Sequence, residues 1–308
     1  MPFKGEPTEA PAWLPERVQA AWNLGAKGIR KTKRRAQTAR RIDPGRRLGM
    51  EWEPVDLFTD DGVGLAGWWV IPESPRPDGL VAVMHHHYGG QRATMLPWIH
   101  LFWRLGIPSL SFDARGHGDS HPTPVGRGSF PKRRADVHAA IAEARRRGAR
   151  RILGFGQSQG AATLAMALGS RTPPELVGLI LDSGPAPDMS TAAWGLSGNI
   201  LGRGKDDLLA RSMLSARILP GTEPHIYPLV LWSSLLRLTR QPLLWLHGDD
   251  DDVIERDWAL TWWRPLSPLS RSRWRSVLVP GADHVRTLQT APDHVEEEVG
   301  NFLARLES

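Results

Sequence analysis

Apolar positions along the chain follow two rhythms, and the change between them divides it. From about Pro11 to Arg41, Trp13, Leu14, Val18, Trp22 and Ile29 are interspersed among polar and basic residues, a pattern that predicts a basic amphipathic helix. Asp43-Pro44-Gly45 then interrupts it, because proline lacks the N–H that a continuing helix needs and glycine suits a turn. From Val55 the period shortens. VDLFT and LAGWWVIP are β-type runs on either side of Asp60-Asp61-Gly62, which predicts a hairpin.

Beyond the hairpin, continuous apolar runs at 80–86, 107–113, 151–156, 177–182, 242–248 and 275–281 alternate with helical stretches near 92–105, 132–147, 159–170, 255–263 and 292–306. Strands without polar alternation are strands buried on both faces, and crossover helices are what bury them, so the class is α/β with a largely parallel sheet. Residues 1–50 then form an N-terminal extension and 51–308 a single main domain. The interval from Pro185 to Arg240 exceeds one crossover and predicts a small cap inserted at about 185–240.

Charge and composition narrow the picture. The chain has 308 residues and a formal charge of +6, but Lys27 to Arg47 alone carries ten basic residues against Asp43, so the excess is an N-terminal feature. Such a helix suits peripheral contact with an anionic membrane, or packing on the main domain through its tryptophans; no specific nucleic acid is expected as a partner. With no cysteine, disulfides, thiolate metal sites and a cysteine nucleophile are excluded. The N-terminus shows no apolar leader and no run of about 18 apolar residues occurs, which predicts a cytoplasmic protein, with peripheral membrane contact left open.

The candidate chemistry begins at Gly154-Phe155-Gly156-Gln157-Ser158-Gln159-Gly160, between an apolar run and the small-residue stretch AATLAMALGS. A serine at a strand-to-helix junction sits on a sharp turn that only flanking glycines permit, and the helix start aims free N–H groups at charge developing nearby. Serine needs a base, and the base needs a carboxylate to orient it. Both stand after later strands: Asp249-Asp250-Asp251-Asp252 follows PLLWLHG, and Ala282-Asp283-His284 follows RSVLVPG.

These residues resemble the α/β-hydrolase superfamily, in particular its bacterial serine esterase and lipase-like branch, over roughly Val55 to Leu306. FDARGHGDS at 112–120 is similar to the Asp-x-Arg-Gly-His-Gly-x-Ser stretch after the family's fourth strand. The resemblance implies a mostly parallel sheet of the eight-stranded type and a triad of Ser158, Asp251 and His284. A register slip selects Asp250 or Asp252 as the acid, and the end of an earlier strand offers Asp182. His85-His86-His87-Tyr88-Gly89-Gly90 resembles the family's His-Gly-x-Gly-Gly turn and implies an oxyanion hole from the N–H groups of Tyr88 and Gln159, although His87 stands where the family has glycine. In an extended segment at most His85 and His87 could share a metal ion, and no third ligand follows at a diagnostic spacing, so no metal site is assigned.

The function so implied is hydrolysis of a small-molecule carboxylic ester through an acyl-enzyme, without a cofactor. Amidase or peptidase, thioesterase and acyltransferase chemistry use the same residues, and binding through the basic N-terminus is the non-enzymatic alternative. Trp194, Tyr227 and Trp232 are candidates to wall an acyl pocket, although with 14 tryptophans in the chain core filling is the simpler role. Oligomeric state is left open.

Overall fold

The computed structural model describes residues 15–24, 42–122, 129–202, 205–218 and 225–307. Eight strands form one sheet: β1 Glu51–Phe58, β2 Gly64–Ile71, β3 Leu80–His85, β4 Ser109–Phe112, β5 Arg151–Gln157, β6 Leu176–Asp182, β7 Leu243–Gly248 and β8 Trp274–Val279. Their spatial order is β1-β2-β4-β3-β5-β6-β7-β8. The β1–β2 and β2–β4 pairings are antiparallel and the remaining five are parallel.

The helices are α1 (16–24), α2 Pro44–Leu48, α3 Leu96–Arg104, α4 Ser129–Arg146, α5 Gln159–Ser170, α6 Met189–Leu201, α7 Leu208–Ile218, α8 Tyr227–Leu238, α9 Arg256–Leu266, α10 Thr287–Thr290 and α11 Pro292–Arg305. Alternation within each central strand feeds two cores. Val81, Val83, Leu179, Leu181 and Trp245 face a layer with residues from α4, α5, α8 and α9, whereas Leu80, Ala82, Met84, Ile180 and Leu246 face α3 and α11. Every residue of β3, β4 and β7 is buried, which is why these runs show no polar period.

The interval after β6 divides. α8 packs on α5, with the Gly169 backbone against Ser234, and so belongs to the layer over the sheet. α6 and α7 pack on each other, and Gly195 of α6 lies against the Val253 backbone after β7. α1 joins these two helices: Ala21, 1% exposed, is buried with Leu201, Ala210 and Leu214. Ala21 and Leu24 of its apolar face thus pack on the helices after β6. Of the basic helix expected from about Pro11 to Arg41, residues 11–14 and 25–41 lie outside the described residues. Asp43-Pro44 starts a helix: Asp43 accepts from Arg46 N at 2.8 Å and Pro44 occupies the first turn of α2. Among the described residues no helix is long and apolar enough to cross a membrane.

Candidate active site

Ser158 separates β5 from α5 and has φ 51°, ψ −111°, a conformation that costs a non-glycine residue energy and that the surroundings must enforce. The glycines on either side are steric requirements. A Cβ on Gly156 would lie 2.6 Å from the Gly160 carbonyl, and one on Gly160 would overlap the His85 carbonyl oxygen and lie 2.8 Å from that of His86. The turn after β5 and the loop after β3 are thus in backbone contact, as the pairing of His85 with Gly156 requires.

The Ser158 Oγ lies 2.8 Å from His284 Nε2. On the other side of the ring, His284 Nδ1 lies 2.8 Å from Asp251 Oδ2 and 3.0 Å from Oδ1. With a carboxylate at Nδ1, that nitrogen carries the proton and Nε2 is left to accept from the serine hydroxyl. Burial opposes the charged imidazole at His284, but the charge and hydrogen bond of Asp251 outweigh it and lift its pKa above the ordinary 6.5. Burial likewise raises Asp251, but the charge and hydrogen bond of His284 dominate, aided by His247 and the Ile254 N–H, and hold Asp251 below the ordinary carboxylate value.

The four aspartates after β7 have different surroundings. Asp251 alone among them is buried. The loop closes around it: Val253 N and Ile254 N donate to its Oδ1 at 2.9 and 2.8 Å, and His247 Nε2 donates to the Ile254 carbonyl at 2.9 Å. Beneath the loop, Trp245 lies 5.3 Å from both Trp262 and Trp263, and Trp274 packs 5.4 Å from Trp263, so β7, β8 and α9 share an aromatic floor. Asp249 accepts from Gly281 N at 2.6 Å, Asp250 is exposed, and Asp252 is exposed beside Asp283.

Asp182 has no hydrogen bond to His284 among those formed. Its Oδ2 accepts from Gln157 Nε2 at 2.7 Å and its Oδ1 from Thr287 Oγ1 and Ser183 Oγ at 2.9 and 3.0 Å, while its carbonyl accepts from Ser158 N at 2.8 Å. Ser183 Oγ in turn accepts from Val285 N at 2.9 Å. Burial pushes Asp182 up to about 6. The reserve acid is thus a clasp that joins the serine turn, the end of β6 and the segment after His284. No spacing in the sequence links Gln157, Asp182, Ser183 and Thr287, so sequence reasoning missed the clasp.

The His86 ring holds the loop after β3. Its Nε2 accepts from Ala114 N at 3.0 Å, leaving Nδ1–H to donate to the His87 carbonyl at 2.8 Å. Because the peptide is planar and trans, fixing that carbonyl fixes the Tyr88 N–H on the opposite side. Gln159, the first residue of α5, stands at the positive end of the helix dipole. His87, at the departure from the family pattern, covers Gly90, and burial lowers it to about 4. His85 Nδ1 donates to the His86 carbonyl at 2.9 Å. Among the described residues no group of three or more His, Asp or Glu suited to a metal ion is formed.

The three aromatic pocket candidates do not share the same surroundings. Tyr227 is 2% exposed within the core and donates its hydroxyl to the Ala186 carbonyl at 2.8 Å, and Trp232 packs against the same core. Trp194 lies beneath the Arg211 guanidinium, 4.2 Å from its ring centroid. The Asp-x-Arg-Gly-His-Gly stretch is a loop lock: Arg115 bonds Asp136 through Nε at 2.7 Å and grips Asp61 at 2.7 and 2.9 Å, and Asp113 accepts from Arg92 N and Asp119 N.

Residues 75–219 match the family described as serine aminopeptidase, S33. The sheet order and helix layers superpose on solved structures of hydrolases. The Pyrococcus furiosus esterase Pf2001 aligns with a TM-score of 0.69 at 22% identity, over 86% of this chain and 94% of that one. The chain has the α/β-hydrolase fold. A thermophilic esterase from Thermogutta terrifontis shares this fold with a TM-score of 0.57 at 16% identity, over 83% of this chain and 100% of that one. By sequence the chain is similar to the protein YfhR of Escherichia coli O157:H7, 27% identical over 258 residues, covering 82% of this chain and 80% of the relative. YfhR of Salmonella typhimurium is 26% identical over 241 residues, covering 76% and 75%.

Proposed function

We propose that this protein is a serine hydrolase of the α/β-hydrolase superfamily that cleaves a carboxylic ester through an acyl-enzyme. The observation that carries the reading is the unbroken hydrogen-bonded chain from Ser158 Oγ through His284 to Asp251. Ser158 Oγ attacks the ester carbonyl carbon while its proton passes to His284 Nε2, and Asp251 stabilises the imidazolium through Nδ1. The N–H groups of Tyr88 and Gln159 hold the oxyanion. The tetrahedral intermediate expels the alkoxide, which takes the proton from His284. Water then adds to the acyl carbonyl by the same path, releasing the acid and restoring the hydroxyl. No cofactor enters the cycle. α6, which lies against the acid loop, and α7 act as the cap.

The match to the serine aminopeptidase family favours a second reading, in which the same acyl-enzyme forms from a peptide or amide. The two separate on substrate: short-chain p-nitrophenyl esters against aminoacyl p-nitroanilides, each with wild type and Ser158→Ala. The ester reading expects ester turnover to fall by about 10⁴-fold or more in the variant. Equal ester activity in both proteins would sink it, and turnover confined to the anilides would select the peptidase.

A further inference from the structure

Arg133, near the start of α4, is 1% exposed, and its Nε and Nη1 are buried without a hydrogen-bond partner. Among the described residues its guanidinium makes no ion pair. A buried charge without contact partners is strongly unfavourable, so one that persists calls for a group to complete it. The surroundings explain why nothing nearer does so. Asp136, one helical turn along, has both carboxylate oxygens taken by Arg115, Oδ1 by Nε at 2.7 Å and Oδ2 by the backbone N at 3.0 Å. Tyr88 also feels the charge of Arg133, but burial raises its phenol, so it stays neutral. His85 and His117 are neutral as well, lowered by burial to about 3 and about 4. Burial lowers Arg133 itself to about 10, so it is cationic at neutral pH.

The position matters as much as the charge. Tyr88 follows the His85 and His86 carbonyls that abut Gly160 in the first turn of α5, so one loop borders both the serine turn and Arg133. His117, whose ring lies 6.5 Å from that of Tyr88, flanks the same place from the loop after β4. We propose that Arg133 is a recognition site for a carboxylate on the substrate, so that the preferred esters carry a second, free carboxylate, as hemiesters of dicarboxylic acids do. A guanidinium offers a planar fork that matches a carboxylate edge to edge. The choice of ester rests on the proposed function; the anion site itself does not.

Binding is measured first with Ser158→Ala protein, by calorimetry and thermal melting, using glutarate, dimethyl glutarate and inorganic phosphate. Glutarate binds and raises Tm, the neutral diester does neither, and adding Arg133→Met abolishes the glutarate effect. An unpartnered arginine predicts that Arg133→Met alone melts no lower than its parent; a marked fall in Tm, or glutarate binding that survives the substitution, overturns the proposal. So does preference for phosphate. Arg133→Lys keeps the charge without the fork and weakens glutarate binding; unchanged binding there also counts against the fork. In enzyme with Ser158 intact, the ratio of kcat/KM for monoethyl glutarate over ethyl butyrate falls by about 10- to 100-fold in Arg133→Met, as expected for a lost charge-assisted contact; an unchanged ratio overturns the substrate assignment. Failure of a fluorophosphonate to label Ser158, with glutarate binding intact, defeats the serine hydrolase reading instead and leaves the anion site standing.

Discussion

Thr287 Oγ1 donates to Asp182 Oδ1 at 2.9 Å, joining residues 105 positions apart and fixing the segment that follows His284 to the end of β6. Gln157, immediately before Ser158, holds the other oxygen of the same carboxylate. The two halves of the serine–imidazole contact are thus referenced to one buried side chain.

Asp182→Asn keeps the shape but converts an acceptor oxygen into a donor, setting it against either Gln157 or the two hydroxyls. We expect kcat to fall by about 10- to 100-fold with a smaller change in KM, because a misplaced imidazole harms the transition state more than binding. Asp182→Ala leaves several donors unsatisfied and costs about 2–4 kcal/mol in chemical denaturation.

The same residue gives a pH signature. Its pKa is about 6 in the fold against 3.8 ordinarily, so between those values the native state binds the extra proton and stability falls as pH rises. The Asp182 contribution is present below pH 4 and lost above pH 6, amounting to about 3 kcal/mol at 1.36 kcal/mol per unit. Unfolding free energies of wild type and Asp182→Asn from pH 4 to 7 should differ in slope; parallel profiles would contradict this account.

Among the four aspartates, only Asp251 meets the imidazole. Asp251→Asn lowers kcat by about 10³- to 10⁴-fold through the wrong tautomer, whereas exposed Asp250→Asn changes it by less than about threefold. The acid limb of kcat/KM in wild type lies above pH 6.5, because activity needs neutral His284 and Asp251 raises its pKa; in Asp251→Asn the limb moves to lower pH. Steady-state kinetics across pH 5–9 decide both points.

Gly160→Ala places a methyl group into the His85 and His86 carbonyls, at the end of central strand β3 and just beyond it, where the backbone cannot yield cheaply. A loss of about 3 kcal/mol or more is expected, seen as aggregation or a lowered melting temperature, with fluorophosphonate labelling lost in whatever remains folded.

His86→Ala frees the His87 carbonyl and so the Tyr88 N–H. The expected result is a kcat lower by about 10- to 100-fold with KM little altered, since the oxyanion contact is made in the transition state. A change confined to KM would argue against the Tyr88 assignment.

Several parts of this protein were legible in the chain itself. Uniformly apolar runs announced a sheet buried on both faces, and the positions of Ser158, His284 and an aspartate followed from motifs lying just beyond three of those runs, because a parallel strand delivers its next residue to the same edge of the sheet. Other features had no local cause. The placement of β4 outside β3, the spending of α1 on the inserted helices and the assignment of α8 to the sheet layer depend on which apolar faces meet across the molecule. The choice among Asp249 to Asp252 was likewise made by burial and loop closure, since four identical side chains differ only in what surrounds them. The Asp182 clasp and the unpartnered guanidinium of Arg133 exist only in three dimensions, where desolvation and the exhaustion of nearby acceptors give ordinary residues an unusual chemistry.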